Sequence, residues 1–375
     1  MTARRSAVGG ETARITDLPE VVSALDPARR ARVERLFEIR RSVGTTVPPE
    51  AMDGWLEAHF GSVDAVRRQT IVRVVNRWSL EGTLFSSLRA QRPVEVTADD
   101  ARPEAGGTDP FCDPEEQTPA AGWGRVRGVH AITGANAAKY DAHHAVIVFD
   151  RHDPLAFDRE TVVDLFDVGR RWAELARAED PDATAYLLTW NCGWRAGASV
   201  RHGHAQALLG YGHYPRVLRL HRDVAAYRAA TGGEYIADLV AAHRDLGLVI
   251  ERGEVAVVAA LNPIKERELI VVGAPGMDER GEAFAGVVGD VLVAFRDAVG
   301  VRSFNMALHR PPLFDRSDGD GWHDIGPMVH VVDRGSPDVR SSDIGSMELF
   351  AASVVSADPF VLAGQLREAL PDRSR

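Results

Sequence analysis

The chain has 375 residues, 45% of them apolar and 26% charged, the composition of an ordinary soluble globular protein. Its formal charge is −10, with 44 Lys and Arg against 54 Asp and Glu and no dense basic run. That balance excludes non-specific nucleic-acid binding as the main task, while a small anionic substrate stays open. No apolar stretch approaches a membrane span, and no apolar segment follows Arg4 and Arg5, so no membrane partner is expected and the cytoplasm is the expected compartment. Two cysteines, Cys112 and Cys192, make no disulfide framework and fit a reducing compartment. The length suits two ordinary domains or one large fused domain.

Residues 1–20 are polar and read as loose. Residues 21–92 read as mostly helical, because Val33, Leu36, Phe37 and Ile39, then Ile71, Val72, Val74 and Val75, recur among charges. Residues 93–125 are rich in Pro, Gly and Asp and read as a loop or insertion, completing an extension over 1–107. A β-rich run over 144–149 follows, then a helix over 158–177 with Asp158 as N-cap. Strands are expected over 186–190 and 202–209. A similar order recurs: strands over 255–260 and 269–272, a helix over 281–298, strands over 304–309 and 329–332. A polar loop running to Gly321 separates the last two, and a closing helix spans 357–370. Two halves at roughly 120-residue spacing, about 108–215 and 216–375, suggest a duplicated α+β unit.

The chemistry concentrates in residues 191–206. On a strand, alternate residues share a face, so His202, His204 and Gln206 point the same way. Asn191, Gly193, Gly197 and Ser199 precede them, offering polar donors and bare backbone for close approach to phosphate. A neutral imidazole is a competent nucleophile at phosphorus once its other nitrogen is held by an acceptor, and the backbone carbonyl near His202 is placed to do that. Gln206 can donate to a phosphoryl oxygen in the transition state but cannot serve as a general acid, which suits a leaving group that departs easily. The bland reading of an isolated pair is two packed or metal-binding strand histidines; the flanking Asn, Gly, Ser and Gln favour phosphate chemistry.

The pattern Asn191…Gly197-x-Ser199-x-x-His202-x-His204-x-Gln206 resembles the active-site stretch of galactose-1-phosphate uridylyltransferases and of the related dinucleoside polyphosphate phosphorylases, both in the histidine-triad superfamily. It departs from them at Arg201 and Gly203, where the family usually has proline. The resemblance covers roughly residues 108–370, and its specific part is 191–206. It implies an α+β fold of two fused histidine-triad-like units, each an antiparallel sheet with a packed helix, plus the N-terminal extension. It implies a double displacement in which His204 takes up a nucleotidyl group and passes it to a second phosphate. Gln206 would hold the phosphate oxygens, His202 would orient or ligate, and Asn191, Gly197, Ser199 and Lys139 would contact phosphates. Hydrolytic relatives carry a third histidine where Gln206 stands, so transfer is expected over hydrolysis.

Three functions follow: transfer between a nucleotide sugar and a sugar 1-phosphate, phosphorolysis of a dinucleoside polyphosphate or nucleotide sugar, or a catalytically silent nucleotide-binding protein on the same fold. Some relatives hold structural zinc through a C-x-x-C pair and two histidines; here Asp109, Cys112, His152 and His202 occupy those places. No organic cofactor is implied. His143 and His144 read as strand-edge structure. In the second half, Met328 replaces one of the histidines that hold a second metal in some relatives, so no second metal is expected, and His309 and His330 read as packing or substrate contacts. Glu348 in Ser342-Asp343-Ile344-Gly345-Ser346-Met347-Glu348 resembles the glutamate that binds sugar hydroxyls. Relatives are often homodimers, so a second copy is the expected partner.

Overall fold

A computed structural model describes residues 13–86, 88–89, 108–313, 321–339 and 341–370. Residues 93–107 of the Pro- and Gly-rich stretch read as a loop lie outside them, as does most of the polar loop before Gly321. The first departure from the sequence reading is N-terminal. Helices do occur there, over Leu18–Ala24, Pro27–Leu36, Asp53–Phe60 and Val63–Arg67, but they frame a hairpin of β1 (Phe37–Thr45) and β2 (Arg68–Asn76). Phe37 pairs with Asn76 and Thr45 with Arg68. Val72 and Val74 are fully buried on one face, with Arg73 exposed between them. A β-branched run with period two belongs to a pleated surface, and counting apolar residues at helical spacing hid that alternation. β3 (Gly82–Phe85) extends the sheet, and the late strand over Ser353–Val355 closes it in parallel.

The second sheet carries the histidine stretch. Its first half comprises β4 (Ala131–Ala135), β5 (His143–Phe149), β6 (Ala185–Cys192) and β7 (His204–Gly210). Its second half comprises β8 (Val249–Arg252), β9 (Val255–Ala259), β10 (Leu269–Val272), β11 (Phe304–His309) and β12 (Met328–Asp333); Ser353–Val355 is then β13. The nine strands lie in the order β4-β5-β7-β6-β11-β12-β10-β9-β8, every neighbouring pair antiparallel. The first half has two strands, a helix and two strands, the second three strands, a helix and two strands, and the halves meet edge to edge at β6 and β11. This is the α+β architecture of two fused units that the histidine stretch implied. Among the described residues, no helix is long and apolar enough to cross a membrane.

The helices Arg159–Glu179 and Ala285–Asp297 cover one face of this sheet and pack on each other. Asp158 caps the first as expected, its carboxylate accepting from Thr161 N–H at 2.9 Å and Thr161 Oγ1 at 2.7 Å. Val162, Leu165, Phe166, Gly169, Trp172, Ala173 and Ala176 recur at helical spacing and are buried. Gly169 is required by close packing: an added Cβ would lie 2.6 Å from Tyr186 Oη. At the centre, the Trp190 ring meets Phe149, Phe157 and Phe304 edge-on, with centroids 4.9 to 5.1 Å apart. Ala205, Ala207 and Leu209 of β7 face the helices, so His204 and Gln206 face the other way, onto the open side.

His243, only 1% exposed, ties the helix Tyr235–Asp245 to the second half-sheet. Its Nδ1 donates to Leu239 O at 2.8 Å, and its Nε2 accepts from Leu261 N–H at 3.1 Å. Burial pushes its pKa down to about 4. The unfolded chain takes up a proton near the ordinary histidine value of about 6.5 while the folded chain does not. His243 therefore costs stability progressively as pH falls from about 6.5 towards about 4, at roughly 1 kcal/mol per pH unit. We expect the urea midpoint of the wild type to fall more steeply between pH 7 and 5 than that of His243→Gln, which lacks the titrating group.

Candidate active site

The stretch before β7 is shaped by two glycines. Gly193 and Gly197 have φ of 84° and 95°, conformations that side chains disfavour, and a short 3-10 turn over Trp194–Ala196 lies between them. The chain then enters β7 through His202 and Gly203. Phe149 N–H donates to Gly203 O at 2.9 Å, and Gly203 N–H donates to His152 O at 3.2 Å. A Cβ at 203 would meet Phe149 Cδ2 at 3.0 Å and Arg151 O at 3.2 Å. Where relatives place proline, this chain uses a glycine whose N–H holds the backbone of His152, a bond proline cannot make.

His204 is 6% exposed, and its Nδ1 lies 2.7 Å from the carbonyl oxygen of His202. In the neutral ring Nδ1 carries the hydrogen donated to that carbonyl, which leaves the Nε2 lone pair free. Burial holds the imidazole below the ordinary histidine value, so the neutral form dominates at neutral pH. The Phe111 ring stands edge-on to His204 with centroids 5.0 Å apart. Beyond it, Ile132, Val146 and Val148 form a small apolar floor on the same face, against which Phe111 packs. β12 does not repeat the triplet; Met328, His330 and Val332 occupy its corresponding face, where Met328 is buried against Val240 and Leu220.

His202 faces a different set of partners. Its Nε2 donates to Phe149 O at 2.8 Å, turning Nδ1 towards Asp109 Oδ1 at 3.6 Å and Cys112 Sγ at 3.7 Å. His152 Nδ1 lies 3.4 Å from Cys112 Sγ and 3.6 Å from Asp109 Oδ2. The ligand atoms of Asp109, Cys112, His152 and His202 all fall within 4.8 Å of one another. Two imidazole nitrogens, a thiol sulfur and a carboxylate oxygen converging on one point form a candidate metal cluster, and the Phe149 carbonyl supplies the outer partner that fixes the His202 ring.

The amides are oriented from outside. Asn191 on β6 offers Oδ1 to Asn305 Nδ2 at 2.7 Å, and Asn305 Nδ2 also donates to Ala196 O at 2.8 Å. Asn305 Oδ1 in turn accepts from Arg334, whose guanidinium is paired with Asp343. With its oxygen occupied, Asn191 turns Nδ2 towards Gly197, 3.9 Å from where a Cβ there would sit. Arg195 anchors the same corner, its Nη1 donating to Val339 O and Ser341 O at 2.6 Å each.

The remaining candidates are spread out. Ser199 is exposed in the turn before β7. Lys139 lies on the β4–β5 loop, its Nζ donating to Asn136 O at 3.2 Å. His309 is half-buried on β11, pushed down to about 3 by desolvation and by His330 beside it, and His330 is paired with Glu268 at 2.9 Å. Glu348 accepts from Gly345 N–H at 2.8 Å and lies 3.5 Å from Arg89. Arg125 binds Thr118 and Arg127 pairs with Glu115. His143 and His144 are not at a strand edge, since β5 lies between β4 and β7: His143 pairs with Asp180 at 3.1 Å, and His144 reaches Gln206. Sequence reasoning did not single out Phe111, His144 or Asn305 as site residues. Only the parity of Asn305 within its strand hinted at the open face.

No family model matches the sequence, and no curated protein does. Solved structures do. An ADP-glucose phosphorylase from Arabidopsis thaliana, with bound ADP-glucose, superposes with a TM-score of 0.60 at 17% identity over 77% of this chain and 95% of its own. The chain shares the fold of that phosphorylase. A galt-like protein from Arabidopsis thaliana gives a TM-score of 0.56 at 17% identity, covering 70% and 92% of the two chains, and a uridylyltransferase gives 0.55 at 16%, covering 81% and 100%. Within this uridylyltransferase-like fold, the seam between the halves is the link whose loss is simplest to measure. Replacing Asn305 with Leu leaves Asn191 Oδ1 and the Ala196 carbonyl without their donor. We expect a loss of roughly 1–3 kcal/mol in urea unfolding, against little change for a surface control such as Glu57→Gln.

Proposed function

We propose that the protein is a nucleotidyltransferase that works through a covalent nucleotidyl-histidine on His204. The observation that carries this reading is the 2.7 Å contact between His204 Nδ1 and the His202 carbonyl, which leaves Nε2 unprotonated on the open face of the sheet. His204 Nε2 attacks the α-phosphorus of a nucleotide sugar. The N–P bond forms as the P–O bond to the sugar phosphate breaks, and the leaving phosphate keeps the electron pair, so no general acid is needed. A phosphate oxygen of the acceptor then attacks the same phosphorus and expels His204. The Gln206 amide donates to the phosphoryl oxygens as charge builds on them. Asn191, Ser199, the bare backbone at Gly197 and Lys139 hold the flanking phosphate. The apolar cluster of Ile132, Val146, Val148 and the Phe111 packed on it forms the wall against which the base rests. His309 and Glu348 are the proposed acceptor contacts.

Two acceptors are consistent with this chemistry, a sugar 1-phosphate or inorganic phosphate. The ADP-glucose phosphorylase likeness supports weighing the second equally. Incubation with labelled ADP-, UDP- and GDP-sugars, with either acceptor, separates them. We expect an acid-labile nucleotidyl adduct mapping to His204, and a loss of at least ~10³-fold in turnover for His204→Ala. Full activity in that variant would rule the mechanism out and leave a silent nucleotide-binding protein.

We further propose that Asp109, Cys112, His152 and His202 hold a structural zinc ion. When bound, zinc would neutralise and fasten the loop that carries Phe111 over His204. The protein's own residues prepare the site: Phe111 N–H donates to Asp109 Oδ1 at 2.9 Å, and the Phe149 carbonyl sets the His202 ring. Zinc at a hundredfold excess over its dissociation constant should add roughly 3 kcal/mol of stability. We expect a chelator to lower the melting temperature of the wild type and to leave that of Cys112→Ala unchanged. Equal responses in both proteins would argue against the site.

A further inference from the structure

We infer that His144 is a positioning residue that fixes the orientation of the Gln206 carboxamide, so that its NH2 group rather than its oxygen faces the reacting phosphoryl group. The inference rests on the nucleotidyl-transfer reading of Gln206 and adds a group that this reading does not use. A carboxamide is nearly symmetric in shape, so packing alone does not distinguish its two ends. For Gln206 the two ends have opposite consequences. The NH2 end stabilises phosphoryl oxygens, whereas the oxygen end repels them.

The geometry settles which end is held. His144 is 2% exposed and sits on β5 diagonally across from Gln206, since Val146 is the residue directly paired with Gln206. Its Nδ1 accepts from the backbone N–H of Tyr140 at 3.1 Å, a donor whose polarity cannot be reversed. A neutral imidazole carries one proton, which must then reside on Nε2. Nε2–H points at Gln206 Oε1 at 2.9 Å. Asn136 Nδ2 lies 3.3 Å from the same nitrogen, but Asn136 Oδ1 is held by Ala138 N–H at 2.9 Å, so that amide also presents hydrogens. Gln206 Oε1 is therefore the acceptor for Nε2–H. Among the described residues, no hydrogen bond is made by Gln206 Nε2, which is left for a ligand.

Burial keeps His144 neutral, below the ordinary histidine value, in agreement with the single-proton count. Lys139, which disfavours protonation, and Asp141, which favours it, are the charged groups that act on the ring. The Tyr140 ring covers it at 4.7 Å between centroids. The chain of control runs from a loop backbone N–H through an imidazole to an amide at the reacting phosphate.

The test combines kinetics with a measurement that needs no turnover. His144→Leu should lower kcat roughly ten- to hundredfold with KM little changed, a part of the ~10²–10³ that one transition-state donor supplies. His144→Gln, whose side-chain NH2 can reach the same oxygen, should recover most of the loss. On a Gln206→Leu background, His144→Leu should change kcat by no more than about twofold, because His144 acts only through Gln206. An equal factor on both backgrounds would reduce His144 to a packing residue and overturn the proposal. In parallel, nitrogen NMR should find His144 protonated at Nε2 alone, and the Gln206 side-chain amide signal should shift in His144→Leu and return in His144→Gln. A proton on Nδ1, or a Gln206 signal indifferent to His144, would overturn the proposal whatever the substrate. Absence of turnover with every nucleotide sugar, with the NMR result intact, would instead count against the nucleotidyl-transfer reading alone.

Discussion

The pairing of β6 with β11 is the interaction on which the rest of the molecule depends. Residues 188–192 lie antiparallel to residues 304–308, and this one seam turns two half-sheets into a single nine-stranded surface. Without it each half would present an unpaired inner edge of N–H and C=O groups to water. With it, the helices of the two halves pack on each other over one face, and the core around Trp190 draws aromatic rings from both sides of the seam. The other face is open over the first half and covered by the helix Tyr235–Asp245 over the far strands of the second, with polar side chains in register across the join.

That register has a chemical consequence. Asn305 of the second half stands opposite Asn191 of the first, and the Asn191 oxygen is taken up before any ligand arrives. The second half lacks the histidine triplet, yet through Arg334, Asp343 and Asn305 it sets the direction of a polar group at the first half's site. The two halves are thus asymmetric: the first carries His202, His204 and Gln206 and holds its own imidazoles, while the second orients the Asn191 amide.

A single device recurs across the site. Each polar group near His204 has one end occupied by a partner of fixed polarity, which decides what the other end offers. The His202 carbonyl occupies His204 Nδ1, and the Phe149 carbonyl occupies His202 Nε2. Asn305 occupies the Asn191 oxygen, and His144 the Gln206 oxygen. Because the groups are buried or half-buried, reorienting any of them would strand a polar atom, at a cost of about 1–3 kcal/mol. The open face therefore presents a lone pair at His204 and hydrogens at the two amides, a pattern complementary to a phosphoryl group.

Much of this was legible in the order of residues alone. The capped, amphipathic helix after Asp158, the strand pattern around His204 and the spacing from Asn191 to Gln206 are written within short windows, where capping, periodicity and alternation are set by near neighbours. Those windows were enough to name the nucleophile candidate and the α+β duplication, and the pattern around Asp109 and Cys112 sufficed to suggest a metal set. Three features came only from the folded chain. The hairpin of β1 and β2 depends on pairing Phe37 with Asn76 across two intervening helices, so local apolar counts misread it as helical. The contact of His144 with Gln206 depends on the β5–β7 register, and that of Asn305 with Asn191 on the β6–β11 register. Which distant strand a segment pairs with, and in what register, is decided by burial of the whole sheet against its helices, and a one-residue slip would turn each of these side chains to the opposite face.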